Sequence, residues 1–441
     1  MSNLALLGGA KAVTVDKGEM FDWPIVNSEM EESVLSVLRA GNMSGTDITE
    51  QFENEFADWH GVKYGLAANT GTAALHAAMY GAGVGRGDEI ICPSLTYWAS
   101  CLQVYSLGGS VVFADVDPDT FCIDPNDIEH RITDRTRAIM VVHYCGQPAD
   151  MDRIMPIARK YGLKVIEDVS HAHGALYKGK MVGTFGDVAG ISVMTGKAFA
   201  VGEGGIMITN DENIYQRAIA LGWYERHDRL TAPDLVLGAG LPWGGQKYRM
   251  HQISSAVGRV QVKKYPEEMA EIDKAMNYFW DLLDGVPGIS SPRPPKDSGS
   301  TMGGWYSSLG KYNSDELGGL SVTRFCEAVA AEGVLELFPG CNKPLHLHPV
   351  FQSIDVYRDG KPSRNAFSNR DLAQLAGSLP VSESIHSKVF RAPWFKHFKP
   401  QFIEQYADAI KKVVSNYADL LPGDTVNPLD GGSWSLSHRK K

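Results

Sequence analysis

Short apolar runs alternate with amphipathic segments through the first half of the chain. Residues 28–41 and 46–60 place apolar side chains at a helical spacing, so each segment predicts an amphipathic helix. The β-branched runs at 111–116 and 138–144 are almost continuously apolar, which is typical of strands buried on both faces. This alternation predicts a mostly parallel sheet with right-handed crossover connections, as in an α/β fold.

The same alternation continues to about residue 210. An amphipathic helix is predicted over 151–162, and Gly162 provides its end. Three more short strands are predicted over residues 164–169, 189–194 and 204–210. We therefore expect these elements to belong to one large domain.

The second half of the chain changes character. Residues 231–247 are rich in glycine and proline and predict a long surface loop, whereas 254–284 predict a long helix. Residues 285–304 break the helical pattern as a linker would, so a smaller domain is expected to begin within the long helix or just after it. The predicted division is an N-terminal segment at 1–25, a large domain at 26–270, a small C-terminal domain at 271–424 and a polar tail at 425–441.

Composition excludes several classes of protein. Hydrophobic residues make up 44% and charged residues 21% of the 441-residue chain, which are ordinary globular values and exclude disorder of the whole chain. The net charge of −10 and the lack of a long basic block argue against nucleic acid or an anionic membrane as a partner. No apolar run approaches the roughly 18 residues that a membrane-spanning helix needs.

The six cysteines form no CxxC pair and have no regular spacing. This distribution is typical of reduced, buried thiols and argues against a disulfide framework or a zinc site. The first residues also lack a charged segment followed by a long apolar segment, so a cytoplasmic location is expected.

Residues 69–75, NTGTAAL, join a turn rich in glycine and hydroxyl groups to an apolar helix. Free N–H groups at a helix start, together with the Thr72 hydroxyl, form a site suited to an anion such as phosphate. The alternative is that the turn is only the N-cap of the helix.

Two further features follow predicted strands. Tyr97 comes just after the run ICPSLT, at the edge of the sheet where ligands of open α/β folds bind, and its ring could cover a planar cofactor. Asp168 follows the strand residues KVI, where the strand is expected to leave the sheet, and could keep the nitrogen of a pyridine ring protonated. The alternatives are that the aromatic ring belongs to the core and that the carboxylate caps a helix.

His171 and His173 form an HxH sequence just after Asp168. A metal site needs further ligands at a suitable spacing, and the sequence offers no partnered carboxylate here. We therefore predict no metal.

Lys197 lies between Gly196 and Ala198, in an apolar stretch without an acidic neighbour. Such a lysine is unusual on a surface, and a buried amine is suited to act as a nucleophile or a Schiff-base partner. Ser192, five residues earlier, offers another hydroxyl for a phosphate. The lysine and the serine are therefore candidate cofactor ligands.

Together these features provide a phosphate cradle, a stacking aromatic ring, an acid for a ring nitrogen and a lysine. They are the groups that hold pyridoxal 5′-phosphate in enzymes of the aspartate aminotransferase fold type. The strings NTGTAALHAAM, VGRGDEIICPSLTYWAS, VVHYCGQPADMD and VIEDVSHAHGA, with the lysine turn ending in GEGGIMITN, resemble the DegT/DnrJ/EryC1/StrS family of sugar and cyclitol aminotransferases. The likeness runs in order over about residues 25–265 and more loosely to about residue 415.

The resemblance implies fold type I, with a mostly parallel seven-stranded sheet in the large domain and a smaller α+β domain. It implies that Lys197 binds the cofactor as a Schiff base and moves protons, and that Asp168 pairs with the pyridine nitrogen. His171 would lie near the ring hydroxyl, and Tyr97 would stack on the ring. The implied phosphate ligands are Gly71, Thr72, Ala73 and Ser192.

The chain departs from the family pattern at two places. The family's GxNxRM segment reads GQKYRM at 245–250, so Lys247 stands where an asparagine commonly reaches the phosphate of the partner subunit. A lysine there could bind phosphate as a point charge, or it could serve the substrate. The chain is also longer than most members, mainly through the loop at 228–247 and the tail. Lys197 itself separates the chain from the family's dehydratase branch, which has a histidine at this position.

The resemblance predicts a homodimeric aminotransferase with shared active sites that uses glutamate or glutamine as amino donor. The strings GGAKAV, GWYERH and KYRMHQ are more similar to members that act on scyllo-inosose than to enzymes of nucleotide-linked sugars. The expected acceptor is thus a keto-sugar or keto-cyclitol resembling scyllo-inosose, with a nucleotide-linked keto-sugar as the alternative. A non-catalytic cofactor-binding regulator is the rival from another class, and the joint presence of Lys197 and Asp168 argues against it.

Overall fold

The computed structural model describes residues 3–368 and 370–425, so the predicted polar tail lies outside the described residues except for residue 425. The strands of the first half of the chain are, in order, β1 (Tyr64–Ala68), β2 (Glu89–Pro93), β3 (Ser110–Ala114), β4 (Thr136–Val142), β5 (Lys164–Asp168), β6 (Leu176–Tyr177), β7 (Lys180–Met181), β8 (Val188–Ser192) and β9 (Gly205–Thr209). β6 and β7 form a hairpin of their own, and the other seven strands form one sheet with the order β1–β9–β8–β5–β4–β2–β3.

This sheet is mostly parallel, as predicted. Neighbouring strands from β3 to β8 run parallel, and only β9 runs antiparallel to its two neighbours, β8 and β1. β2 and β3 are buried along their whole length, as expected for strands that are covered on both faces.

Helices connect the strands and pack around the sheet. The helices up to the middle of the chain are α1 (Ser28–Arg39), α2 (Asp47–His60), α3 (Gly71–Gly81), α4 (Pro125–Arg131), α5 (Met151–Tyr161), α6 (Glu212–Gly222), α7 (Pro233–Val236) and α8 (Gln252–Leu282). Asn27 caps α1, because its side chain accepts a hydrogen bond from the N–H of Met30 at 3.0 Å. Gly61 and Gly162 adopt the left-handed conformation that ends α2 and α5.

α8 connects two hydrophobic cores. On this helix, Tyr265 packs in the core of the large sheet, whereas Ile272 and Trp280 pack in a second core. The predicted domain boundary at residue 270 therefore falls inside this helix. Leu4 and Met20 of the N-terminal segment also belong to the second core.

The second core lies against a four-stranded antiparallel sheet with the order β10–β11–β13–β12. Its strands are β10 (Ile289–Ser290), β11 (Leu309–Tyr312), β12 (Phe338–Pro339) and β13 (Val389–Arg391). The helices of this part are α9 (Val322–Ala331), α10 (Pro349–Gln352), α11 (Pro380–Ser384) and α12 (Pro400–Ser415). The smaller unit is thus α+β, as predicted.

A long excursion between β12 and β13 returns to the large sheet and covers its edge strand, β3. Gln374 accepts a hydrogen bond from the N–H of Phe113 and donates one to the carbonyl of the same residue, both at 2.7 Å. The ring of Phe351 lies 4.9 Å from that of Phe113. The side-chain amide of Gln374 therefore takes the place of a neighbouring strand at this position.

Two segments of the second half differ from their predictions. The predicted surface loop at 231–247 contains the short helix α7, and Leu235 is buried against the large core. The predicted linker at 285–304 contributes β10 to the small sheet. Short apolar patches within glycine- and proline-rich segments gave no helical or strand period, so their tertiary contacts were not visible in the sequence.

All six cysteines are buried and unpaired. None of the helices in the described part of the chain combines the length and apolar character that crossing a bilayer requires.

Candidate active site

The carboxyl ends of three parallel strands lie at one edge of the large sheet. β2, β5 and β8 belong to the parallel part of the sheet, so the residues that follow them share this edge. Tyr97 follows β2, Asp168 ends β5, and Lys197 follows β8. The N-terminus of α3 meets the end of β8, because Gly71 lies against Ser192. The structure thus gathers these predicted site residues at one edge.

Asp168 is a buried carboxylate with neutral hydrogen-bond donors. Its Oδ2 accepts from the hydroxyl of Ser100 at 2.7 Å, and its Oδ1 accepts from the N–H of Ser170 at 3.0 Å. No helix begins after Asp168, so the helix-cap interpretation is wrong. Within the described residues no cation pairs with it, although a buried carboxylate is costly without one. A protonated ring nitrogen would provide the missing positive charge.

Lys197 lies in the turn between β8 and β9 and is only 7% exposed. Its Nζ lies 4.3 Å from the centre of the Tyr306 ring, and its carbonyl accepts a hydrogen bond from the indole of Trp23 at 2.7 Å. Across the described ranges it forms no ion pair with a carboxylate. The amine is therefore held in place by the fold but is free of an acidic partner.

His171 is a neutral imidazole with a defined proton position. The N–H of Cys145 donates to its Nδ1 at 3.3 Å, which places the ring proton on Nε2. Burial, together with the charge of Lys197, lowers the pKa of His171 well below its usual value. Cys145 adopts a left-handed conformation with φ 53°, unusual for a residue other than glycine and characteristic of functional sites.

His173 serves the fold of the site. Its Nε2 lies 2.8 Å from the carbonyl oxygen of Ser192 and donates to it, and burial lowers the pKa of His173 to about 3. In the part of the chain that the structure describes, no group of three or more histidine, cysteine or acidic side chains is arranged to hold a metal ion.

The start of α3 forms a cradle against Ser192. Thr70 caps the helix, since its hydroxyl accepts from the N–H of Ala73 at 3.0 Å, and this leaves the N–H groups of Gly71 and Thr72 at the helix start. A Cβ on Gly71 would lie 2.4 Å from the Cβ of Ser192, so only glycine permits this approach. The N-cap interpretation is therefore correct for Thr70, and it is compatible with an anion site formed by the neighbouring groups.

Tyr97 is half-buried beside this edge of the sheet. Its ring centre lies 5.0 Å from that of Trp98, and burial together with the neighbouring Tyr306 hydroxyl raises its pKa. The ring is therefore part of the site's wall and is not enclosed in the core.

Lys247 is exposed, and its Nζ lies 5.8 Å from the centre of the Tyr224 ring. The carbonyl of Lys247 accepts from the side-chain amide of Asn69 at 3.4 Å, and Arg249 forms an isolated bridge with Ala68. Because Asn69 precedes the cradle directly, the segment of Lys247 adjoins the cradle of the same chain.

Sequence reasoning missed three residues that support the site. Tyr306 lies under the Lys197 amine, and Trp23 bonds the Lys197 carbonyl. Both are more than 100 residues from Lys197 in the sequence, and nothing near them in the sequence indicates a site. Ser100 lies three residues after Tyr97, and its hydroxyl donates to the carboxylate of Asp168. The Ser100 oxygen also lies 2.8 Å from the hydroxyl oxygen of Thr96. The run of hydroxyl residues around Tyr97 was the one available signal.

These groups fit pyridoxal phosphate. In the part of the chain that the structure describes, the carboxylate of Asp168 has no cationic partner and the amine of Lys197 has no acidic one, while the cradle of α3 offers main-chain donors and hydroxyls to a phosphate. Each of the three thus lacks the kind of partner that one part of this cofactor provides.

Comparison with known proteins agrees with this fit. The model of the DegT/DnrJ/EryC1/StrS aminotransferase family matches residues 24–411. L-glutamine:scyllo-inosose aminotransferase of Streptomyces griseus is 31% identical over 433 residues, which are 95% of this chain and 99% of that protein. GDP-perosamine synthase of Caulobacter vibrioides is 41% identical over 233 residues, which are 53% of this chain and 61% of that protein. The X-ray structure of an aminotransferase from Psychrobacter cryohalolentis superposes with a TM-score of 0.75 and 29% identity, over 90% of this chain and 100% of that one.

Proposed function

Because the chain belongs to the DegT/DnrJ/EryC1/StrS aminotransferase family, we propose that Lys197 and Asp168 are the catalytic residues of its pyridoxal-phosphate-dependent transamination. One observation carries this assignment. Among the described residues, a buried amine without an acidic partner and a buried carboxylate without a cationic partner lie at the same edge of one sheet. Unpaired buried groups of this kind are typical of functional sites.

The residues would divide the chemistry as follows. Pyridoxal phosphate, when bound, supplies an electron sink for the substrate carbon that loses its proton. Lys197 would hold the cofactor covalently and serve as the base that takes and returns this proton. Asp168 would keep the ring nitrogen protonated, with both carboxylate oxygens fixed by Ser100 and Ser170. His171 would offer its Nε2–H as a neutral donor near the ring hydroxyl.

The cradle and the aromatic wall would bind the rest of the cofactor. Tyr97 would stack on the ring, and Lys247 would add a positive charge near the phosphate or the substrate. The start of a helix favours a phosphate through its free N–H groups and its dipole. The proposed phosphate ligands are Gly71, Thr72 and Ser192. Ala73, expected from the sequence as a fourth ligand, already donates its N–H to the Thr70 hydroxyl.

We propose a keto-cyclitol resembling scyllo-inosose as the acceptor and glutamine or glutamate as the donor. The match to the S. griseus scyllo-inosose enzyme covers 95% of this chain and 99% of that protein. The likeness to GDP-perosamine synthase is higher but covers about half of the chain. Because this match leaves almost half of the chain uncovered, a nucleotide-linked keto-sugar is the second candidate.

A direct assay separates the two acceptors. The purified enzyme is incubated with a labelled donor and one of the two acceptors. The donor is glutamine labelled at its amide or at its amine, or labelled glutamate. The acceptor is scyllo-inosose or a nucleotide-linked 4-keto-sugar. Transfer of the label from the amine to the cyclitol supports the proposal, and transfer to the nucleotide-linked sugar alone contradicts it. Lys197→Ala serves as the control for transfer that does not depend on the active site.

We also propose a homodimer with active sites at the subunit interface. Val236, Leu237, Leu241 and Trp243 are exposed in the single chain, and Leu237 is 90% exposed. A second apolar surface is a groove between α1 and the turn that carries Lys197. A partner chain that covered this groove would lie beside the lysine turn. The groove is lined by Pro24, Val26, Val34, Leu35, Ala200 and Val201.

A cytoplasmic location is proposed as well. The buried, unpaired state of all six cysteines supports it, because thiols remain reduced in that compartment.

A further inference from the structure

His76 connects the helix of the cradle to the segment that carries Lys247. It lies on α3, its Nδ1 is 2.6 Å from the hydroxyl of Tyr248, and its Nε2 is 2.8 Å from the hydroxyl of Ser106. The imidazole is buried and uses both of its nitrogens. Tyr248 is therefore linked through a side chain to the helix that begins at Gly71.

Tyr248, His76 and Ser106 form a chain of hydrogen bonds, called the relay below, in which every donor points in the same direction, from Tyr248 towards Ser106. The Ser106 hydroxyl donates to the carbonyl of Gln103 at 2.7 Å, so its oxygen accepts from Nε2–H of His76. Nδ1 of His76 then has no proton and accepts from the hydroxyl of Tyr248. Burial lowers the pKa of His76 to about 4 and raises that of Tyr248 to about 12, which agrees with a neutral relay.

The main chain of Tyr248 is fixed as firmly as its side chain. Its N–H donates to the carbonyl of Gly222 at 3.0 Å, and its carbonyl accepts from the N–H of Asn69 at 2.7 Å. The ring packs on Gly222, where a Cβ would lie 2.8 Å from a ring carbon, and against Trp223. Every polar group of Tyr248 is thus bonded to an element around the cradle.

The two neighbours of Tyr248 are cations. Neither Lys247 nor Arg249 forms an ion pair with a carboxylate of the described residues, although the protein carries an excess of acidic side chains. Both positive charges therefore remain available for an anion.

We propose that Tyr248 is a positioning residue for phosphate recognition. Its hydroxyl donates to His76, which Ser106 holds in turn, and this bond fixes the direction in which Lys247 and Arg249 present their charges. The inference rests on the proposed function, in which this segment meets the phosphate of the cofactor. It assigns a role to a tyrosine that would touch neither the cofactor ring nor the reacting atoms.

The test measures binding without catalysis, in the Lys197→Ala background, where the cofactor can bind only reversibly. Equilibrium dissociation constants are measured for pyridoxal phosphate and for pyridoxal, which lacks the phosphate. Tyr248→Phe removes one hydrogen bond and should weaken pyridoxal phosphate binding about threefold to tenfold, while pyridoxal binding stays unchanged. Tyr406→Phe is the matched control, since its hydroxyl bonds Glu336 in the smaller unit, and it should change neither constant.

A double-mutant cycle tests whether Tyr248 acts through its neighbours. When Lys247 and Arg249 have both been changed to alanine, adding Tyr248→Phe should raise the dissociation constant for pyridoxal phosphate by less than about twofold. Ser106→Ala, which cuts the relay at its other end, provides a second variant and should shift binding in the same direction. It keeps the inference testable if Tyr248→Phe does not fold.

The outcomes separate the inference from the proposed function. Equal weakening of pyridoxal and pyridoxal phosphate by Tyr248→Phe, or no weakening of either, would overturn the positioning role. If Lys247→Ala with Arg249→Ala weakens phosphate binding but Tyr248→Phe and Ser106→Ala do not, the inference alone fails. If the two cation substitutions leave the preference for pyridoxal phosphate unchanged, the phosphate role of this segment fails together with the inference.

Discussion

The indole N–H of Trp23 donates a hydrogen bond to the main-chain carbonyl of Lys197, with a distance of 2.7 Å between the nitrogen and the oxygen. Trp23 lies next to Trp394, with 5.8 Å between ring centres, and Trp394 in turn donates to the carbonyl of Gly304 at 2.8 Å. Gly304 precedes Tyr306, the residue under the lysine amine, by two positions. Two indoles packed against the smaller unit therefore hold the lysine turn and the surface that faces its amine.

Trp23→Phe should loosen the lysine turn. An aromatic ring remains at this position but the hydrogen bond to Lys197 is lost, so we expect the free energy of unfolding to fall by about 1 kcal/mol. We also expect a smaller fraction of the protein to carry pyridoxal phosphate when the cofactor is limiting. Urea denaturation and visible absorbance measure the two effects. Trp280→Phe is the control, because Trp280 is buried and its N–H has no partner in the described structure. Equal cofactor occupancy in both variants would show that the bond to Lys197 has no role in the site.

Lys197 should be the lysine that carries the cofactor. We expect the purified protein to be yellow, borohydride reduction to label the peptide of Lys197, and Lys197→Ala to lose both the label and the turnover. Lys396 provides the control, since it is also buried and lacks a hydrogen-bond partner in the described ranges. Lys396→Met should keep the label. Mass-spectrometric mapping of the label to Lys396 would show that the site is wrongly assigned.

Asp168→Asn should keep the cofactor and lose most of the rate. The amide cannot hold a proton on the ring nitrogen as a carboxylate does, so we expect a fall in kcat on the order of a thousandfold. Ser100→Ala removes one neutral hydrogen bond to the same carboxylate and should lower kcat only about tenfold or less. Steady-state kinetics at saturating cofactor compares the two. A nearly normal rate in Asp168→Asn would mean that the carboxylate is structural.

Mixed dimers should recover activity if the sites are shared. Lys197→Ala and Lys247→Ala chains are each expected to be inactive, and a hybrid would contain one site with both lysines, giving up to about half of the wild-type dimer activity. Activity is measured after subunit exchange has been demonstrated, with each variant verified as folded. No recovery despite exchange contradicts the shared site. Activity of Lys247→Ala alone contradicts the role of that lysine across the interface.

Stability should fall as the pH falls below about 6.5, in part because of His60. Burial lowers the pKa of His60 to about 4, so the folded protein keeps it neutral where the unfolded chain binds a proton. Between these two values the unfolded state binds more protons, and acid therefore favours unfolding. From pH 7.5 to pH 5.5 we expect His60 to contribute a loss of about 1 kcal/mol.

Urea denaturation of His60→Asn at the two pH values checks this contribution. The variant should lose about 1 kcal/mol less than the wild type on acidification, although it is less stable at pH 7.5 because the stacking on Phe56 is lost. An identical loss in His60→Asn and the wild type would contradict the prediction.

The large sheet could be predicted because its signals are local. The runs around Ile139 and Ile166 are apolar over most of a strand, and glycines such as Gly162 end the helices between them. Lys197 and Asp168 could be proposed as site residues for the same reason. Asp168 is the last residue of β5 and Lys197 follows β8, and the carboxyl ends of these two parallel strands lie at the same edge of the sheet.

The support of the site could not be predicted, because it comes from contacts distant in sequence. Tyr306 and Trp23 reach the lysine turn through the packing of the smaller unit, which leaves no period or spacing in the sequence. The segment of Leu235 was expected to be a surface loop, which is wrong for this residue. The short helix α7 turns Leu235 into the core while Leu237 stays exposed, and the sequence pattern does not distinguish the two leucines. Local patterns point to the candidate reactive groups, whereas the groups that hold them in place depend on tertiary structure.

The pairing of Gln374 with Phe113 has a consequence for how copies of this chain can associate. An unprotected edge strand can pair with the same strand of another molecule, which leads to open-ended sheets and aggregation. Here the amide of Gln374 already occupies the donor and the acceptor of Phe113, near the middle of β3. Continuous strand addition at β3 would require the excursion to be displaced first, so this edge of the sheet is protected against polymerisation.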